Sequence, residues 1–259
     1  LYNEGVADWA LFVRDCLFDI VCPGIRNKTS LAKWSRVVWF DGALFEIVLL
    51  SLRVSGIALL ISALLGIPVG VLLGLTDFVG RRLVVVLIYT GMAFPPVVIG
   101  LFVYLLISRS GPLGQLHWPW IPALFTPAAM IVAQTVIAFP LVAGFTMAAV
   151  EGVEPALRLQ VRALGASPWQ TSWAILEEAR GGVVAAIVAG FGGIISEVGA
   201  VMIVGGNIEH RTRVLTTAIV LETSKGNFDL ALALGTVLLS IAFLTNFIIV
   251  RLQGRTTDR

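Results

Sequence analysis

VSGIALLISALLGIPVGVLLGLT, residues 54–76, is a run of 23 residues without a charged side chain. An α-helix needs about 20 largely apolar residues to cross a hydrocarbon core of roughly 30 Å, so this stretch reads as a transmembrane span, extendable back to 47 with Arg53 near its end. The same test, carried outward, finds residues 83–107, 128–150, 183–204 with Glu197 inside, and 230–250. Composition agrees: 58% of the 259 residues are hydrophobic and 13% charged, against about 25% charged in a soluble domain. The expected fold is an all-α polytopic membrane protein with five transmembrane helices.

The remaining sequence narrows the function classes. The net charge of +2 is spread over connecting segments and forms no basic run, so nucleic acid is not an expected partner. Cys16 and Cys22 lack the Cys/His clustering of a metal site, and their spacing leaves a disulfide and two free thiols equally open. Residues 1–39 form a separate segment that cannot span. Trp9, Phe12, Val13, Cys16, Leu17 and Ile20 follow helical spacing while Asp8, Asp15 and Asp19 fall elsewhere. That pattern suits either a helix in the membrane interface or an amphipathic helix packed on the protein's own flank. Glu4 and Asp8 stand where the apolar core of a cleavable signal would lie, so none is expected there.

Basic residues in short loops favour the cytoplasmic side. Arg81, Arg82, Arg158, Arg162, Arg180, Arg251, Arg255 and Arg259 fall on one side of a five-span chain, and Arg109, Arg211, Arg213 and Lys225 on the other. Eight against four places the first group, with the C-terminus, in the cytoplasm and the N-terminus outside. The outer loop 108–127 holds four prolines and Trp118 and Trp120, as expected of a structured cap at the headgroup level.

The longest polar interruption, 151–182, lies on the cytoplasmic side. It contains Ala163-Leu164-Gly165-Ala166-Ser167-Pro168-Trp169-Gln170, then Ile175 ten residues beyond Gly165. Gly165 suits a left-handed helix terminus, and Ser167 with Pro168 suits the start of a second helix. This block resembles the signature loop of ABC-importer permeases. The resemblance implies a type I importer permease fold over residues 40–255 and short coupling helices that dock on an ATPase subunit. The sequence departs from the usual motif at Leu159, where a glutamate is common, and at Glu178, where a proline is. A second block, Ser196-Glu197-Val198-Gly199 through Gly205-Gly206-Asn207, then 212–219 and 221–226, is similar to the tungstate permeases, themselves related to molybdate and sulfate permeases. Residues 94–100 and 108–114 support the same likeness.

Pro68, Pro95, Pro96 and Pro140 lie inside the expected spans, where each removes a backbone hydrogen bond and favours a kink. Irregular backbone at that depth is tolerated where protein or a water-filled cavity satisfies it. Pro95, Pro96, Ser196, Glu197, Gly205, Gly206 and Asn207 are therefore candidates for a pathway or gate. Glu197 is the carboxylate within a span, and its charge would repel an oxyanion, which favours a structural or gating role. Gly205, Gly206 and Asn207 offer amide donors. No Gly-Lys-Ser/Thr phosphate loop occurs, so this chain is expected to bind no cofactor, with ATP and Mg on a partner.

The resemblance further implies a second copy of the chain, two ATPase subunits, and an external oxyanion-binding protein facing loops 108–127 and 206–229. Arg109, Arg211, Arg213 and Lys225 are the basic docking candidates there. Tungstate is the expected cargo, molybdate or sulfate the alternative. An intramembrane enzyme would need facing catalytic groups, which Glu197 alone does not supply.

Overall fold

The computed structural model describes residues 42–116 and 118–257, with side chains for all of these except 43, 250 and 252–257. The segment 1–39, Cys16, Cys22 and His117 lie outside the described residues. The chain divides into two units, Leu1–Leu44 and Phe45–Arg259, and the helices below belong to the second apart from the first residues of α1. Among the described residues there is no strand.

The charge-free stretch beginning at Val54 forms most of α1 (Gly42–Leu75), which is continuous through Pro68. Next come α2 (Arg81–Ala93) and α3 (Pro96–Ile107), whose axes turn by 105°. The turn follows from local chemistry. A residue before proline is pushed out of the helical region, and two prolines in succession impose this twice: Phe94 has ψ 131° and Pro95 ψ 124°. The expected span 83–107 is thus two helices rather than one kinked rod.

A loop containing a short 3-10 turn leads to α4 (Pro127–Glu151), which also runs unbroken through its proline, Pro140. Thr126 caps it by accepting from Ala129 N, with Pro127 at the first helical position. α4 is the central helix. Ala129, Ala133 and Ala138 on it are fully buried beside Ala58, Ile194 and Val204 from other segments. Gly66, Gly70 and Gly74 of α1 form a four-residue ladder along it: Cβ atoms built there would meet Val142 Cγ1 at 3.1 Å, Ala143 O at 2.6 Å and Val150 Cγ1 at 2.8 Å. The absence of side chains lets the two backbones touch.

α5 (Pro155–Ala163) and α6 (Pro168–Glu178) form a hairpin, and α6 meets α7 (Arg180–Ile195) at 68°. α7 stops at Ile195 and α8 (Gly199–Gly205) begins four residues on, so the expected span 183–204 is discontinuous around 196–198. α9 (Leu215–Ser224) and α10 (Phe228–Thr257) complete the order. Leu44–Leu75, Pro127–Glu151 and Phe228–Ile249 are long and apolar enough to cross a membrane alone, and each bent pair, α2 with α3 and α6 with α7, passes as one unit. The described chain therefore carries three to five spans.

Hydrogen bonds tie the connecting segments together at the two ends of α4, from side chains at one and from backbone at the other. Near its C-terminus, Arg81 binds Leu73 O and Glu151, and Arg158 reaches Gly74 O and Leu75 O. Near its N-terminus, Phe125 N donates to Val204 O at 2.9 Å.

Candidate functional site

The hairpin at the C-terminal end of α4 is built by two complementary terminators. α5 ends with Gly165 at φ 85°, where Gly165 N donates to Arg162 O at 3.0 Å and Ala166 N to Val161 O at 3.3 Å. These are the paired bonds that close a helix through a left-handed residue. α6 then starts with a reciprocal cap: Gln170 N donates to Ser167 Oγ at 3.3 Å, and Ser167 N donates to Gln170 Oε1 at 2.8 Å. One face of α6 is anchored, since Ile175 is 1% exposed in a cluster with Val150 and Ala179. The other side is bare. Leu159, Leu164, Trp169 and Trp173 are 69%, 88%, 76% and 61% exposed. Four large apolar side chains on a polar connector form a surface suited to association.

The two discontinuities meet at a partly exposed junction. A Cβ on Gly199, at the start of α8, would lie 2.4 Å from Val97 Cγ2 at the start of α3. Glu197 holds the second break in shape: its Oε1 accepts from Ala200 N at 2.9 Å and its carbonyl accepts from Thr216 Oγ1 at 2.9 Å. Its carboxylate is thus engaged with the backbone of its own segment. Ser196 is exposed, and its hydroxyl turns back to Gly192 O at 2.7 Å. Pro95 and Pro96 form the other break and stand beside Val97 at this junction.

At the opposite end, Gly205 and Gly206 serve packing. Gly205 lies against Met130 sulfur and Gly206, at φ 72°, against the Phe125 ring. Gly206 N already donates to Met202 O at 2.9 Å, so that amide is not free for an anion in this conformation. Asn207 has φ 50° and a buried Oδ1 without a hydrogen-bond partner. Thr212 Oγ1 closes the turn by donating to Gly205 O at 2.6 Å and accepting from Ile208 N at 2.9 Å.

Of the four basic candidates, Arg109 and Arg211 are exposed, while Arg213 pairs with Glu209 at 3.1 Å and Lys225 with Glu222 at 2.8 Å. Lys225, then Asn227, hydrogen-bonds the Glu222 carboxyl and lowers its pKa. His210 Nδ1 lies 2.8 Å from Glu46 Oε2, and that bond and the carboxylate's charge raise the histidine pKa.

Two residues escaped the sequence reading. Gln134, 3% exposed in α4, donates from Nε2 to Ile194 O at 3.0 Å and so satisfies a carbonyl at the end of α7. An uncharged amide inside an otherwise apolar span was the available hint. Arg158 counted only toward the charge balance, because its carbonyl partners on α1 are 83 and 84 residues away in sequence.

The family described as binding-protein-dependent transport system inner membrane component matches residues 66–258. A probable anion ABC transporter permease protein of Haloferax volcanii is 43% identical over 221 residues, covering 83% of this chain and 93% of its own length. The tungstate uptake system permease protein TupB of Peptoclostridium acidaminophilum is 40% identical over 235 residues, covering 91% and 99%. The fold matches a chain of a bacterial alginate ABC transporter, solved in complex with an alginate pentasaccharide-bound periplasmic protein, with TM-score 0.68 at 19% identity, covering 99% of this chain and 98% of that one.

Proposed function

Because this chain belongs to the family of binding-protein-dependent transport system inner membrane components, the membrane permeases of ABC importers, we propose that its cargo is an oxyanion and specifically tungstate. The permease has no ATPase chemistry of its own. Two copies enclose the path, two ATPase subunits carrying ATP and Mg bind the two hairpins, and an external binding protein delivers the anion to loops 108–127 and 206–229. The hairpin end of α4 faces the cytoplasm, together with the C-terminus of the chain, and the N-terminus lies outside.

The observation that carries this reading is the hairpin. Its base is locked by Ile175 and its two terminators, while Leu159, Leu164, Trp169 and Trp173 stand uncovered. A rigid turn with an apolar surface, fixed to the ends of the membrane helices, is what a soluble motor subunit needs in order to push on a membrane domain. The absence of the usual motif glutamate at Leu159 makes the contact more apolar, so Trp169 and Trp173 supply much of its area. The tungstate assignment draws on the likeness to the tungstate uptake permease over 91% of this chain. Tungstate and molybdate have the same shape and charge, so discrimination between them falls to the binding protein.

The test is uptake by the complex of permease, ATPase and binding protein in proteoliposomes. Tungstate should enter with ATP and sulfate should not. ATP-dependent sulfate uptake without tungstate uptake would overturn the cargo assignment.

A further inference from the structure

Force applied to the hairpin has to reach the membrane helices through contacts, and on the α5 side packing supplies little. α5 buries no residue. Beside it lies a cleft of about 490 Å³ lined in part by Gly152, Leu157, Gln160, Glu178 and Gly182. α6 by contrast sends Thr171 and Ile175 into the bundle. Among the described residues, the hydrogen bonds from α5 side chains to the membrane helices come from Arg158, whose Nη1 lies 3.4 Å from Leu75 O and Nη2 3.5 Å from Gly74 O.

Those two carbonyls belong to the last turn of α1, where acceptors have no partner within the helix and the dipole presents its negative end. The carbonyl before them, Leu73 O, takes Arg81 Nε at 2.8 Å, and the far side of that guanidinium pairs with Glu151 at the end of α4. The ends of α1, α2, α4 and α5 therefore meet at one node built from two guanidinium groups. A planar fork bridges two successive carbonyls, as a single ammonium cannot.

We propose, on the importer reading above, that Arg158 is the positioning residue that carries movement of the 155–178 hairpin to the end of α1. The apolar surface of the hairpin binds the motor subunit, and Arg158 links that bound hairpin to the membrane domain. Docking and transmission are then separable properties of one loop.

The test uses the whole complex with Arg158→Met and Arg158→Lys permeases. Three quantities are read: ATPase retained on purification, ATP hydrolysed, and tungstate moved per ATP. Arg158→Met should keep the ATPase at the wild-type level yet move about threefold less tungstate per ATP, the low end for a lost hydrogen bond, as both contacts are long. Arg158→Lys should recover only part of that loss, because its ammonium keeps the charge but cannot bridge both carbonyls. An unchanged ratio in Arg158→Met, or no recovery with lysine, overturns the inference. So does failure of Arg158→Met to assemble, since the residue would then serve folding. A wild-type complex that moves no oxyanion would instead overturn the importer reading itself, which keeps the two failures distinct.

Discussion

The Cα of Ala200 lies 2.5 Å from where a Cβ on Gly100 would stand, so α3 and α8 cross with their backbones in contact. This crossing locks together the two helices that follow the two discontinuities. Gly100→Leu should force them apart and destabilise the permease by about 1–3 kcal/mol, the usual range for overpacking a closed interior. Thermal unfolding of the purified protein in detergent reads this directly, and an unchanged midpoint would mean that the crossing yields easily.

Gly165→Val and Trp169→Glu separate shape from surface in the hairpin. No atom lies within 4 Å of a Cβ built at Gly165, but its φ is 85°. Strain there is conformational, about 1–2 kcal/mol for a residue with a β-carbon. Both variants should remain inserted in the membrane while losing co-purified ATPase and substrate-stimulated hydrolysis. Normal values in both would place the docking surface elsewhere.

Sidedness can be read with single cysteines at Ala163 and Ser224, both exposed, in a background lacking Cys16 and Cys22. An impermeant thiol reagent should reach Ala163→Cys only from the cytoplasm and Ser224→Cys only from outside. Labelling of both from one side would remove the five-span topology.

The His210–Glu46 contact ties the 206–214 loop to the start of α1, and its strength depends on protonation of the imidazole. A histidine pKa raised by folding contributes stability that is full below the unfolded value and is lost as pH rises through the folded one. Both groups are exposed, so the contribution is modest. The wild type should melt above His210→Asn at about pH 6 and equal it at about pH 9, where the imidazole is neutral in either state. A constant difference across that range would show that the contact is not ionic.

The parts of this fold that rest on local chemistry were legible in the sequence. The absence of charge over 54–76 marked a span because the bilayer requires it, and Gly165, Ser167 and Pro168 marked a turn because each has a preferred place at a helix end. The Pro95-Pro96 pair announced an interruption but not its size, since a 105° turn also depends on what α3 finds to pack on. The break at 196–198 has no proline. It is held by Glu197, by Thr216 from α9 and by Gln134 from α4, partners supplied largely by the tertiary fold. For the same reason Gly205 and Gly206 read as free donors, although the structure uses them to admit Met130 and Phe125.

The ladder of Gly66, Gly70 and Gly74 also sets an order of biogenesis. Its partner surface, Val142 to Val150 on α4, is made only after α2, α3 and the loop that follows them, several seconds later at about 5–20 residues per second. Until then the newly inserted α1 presents a strip of bare backbone to lipid. The contact that α1 is shaped for can therefore form only once α4 has been made, and slow synthesis between these helices lengthens the time α1 spends without it.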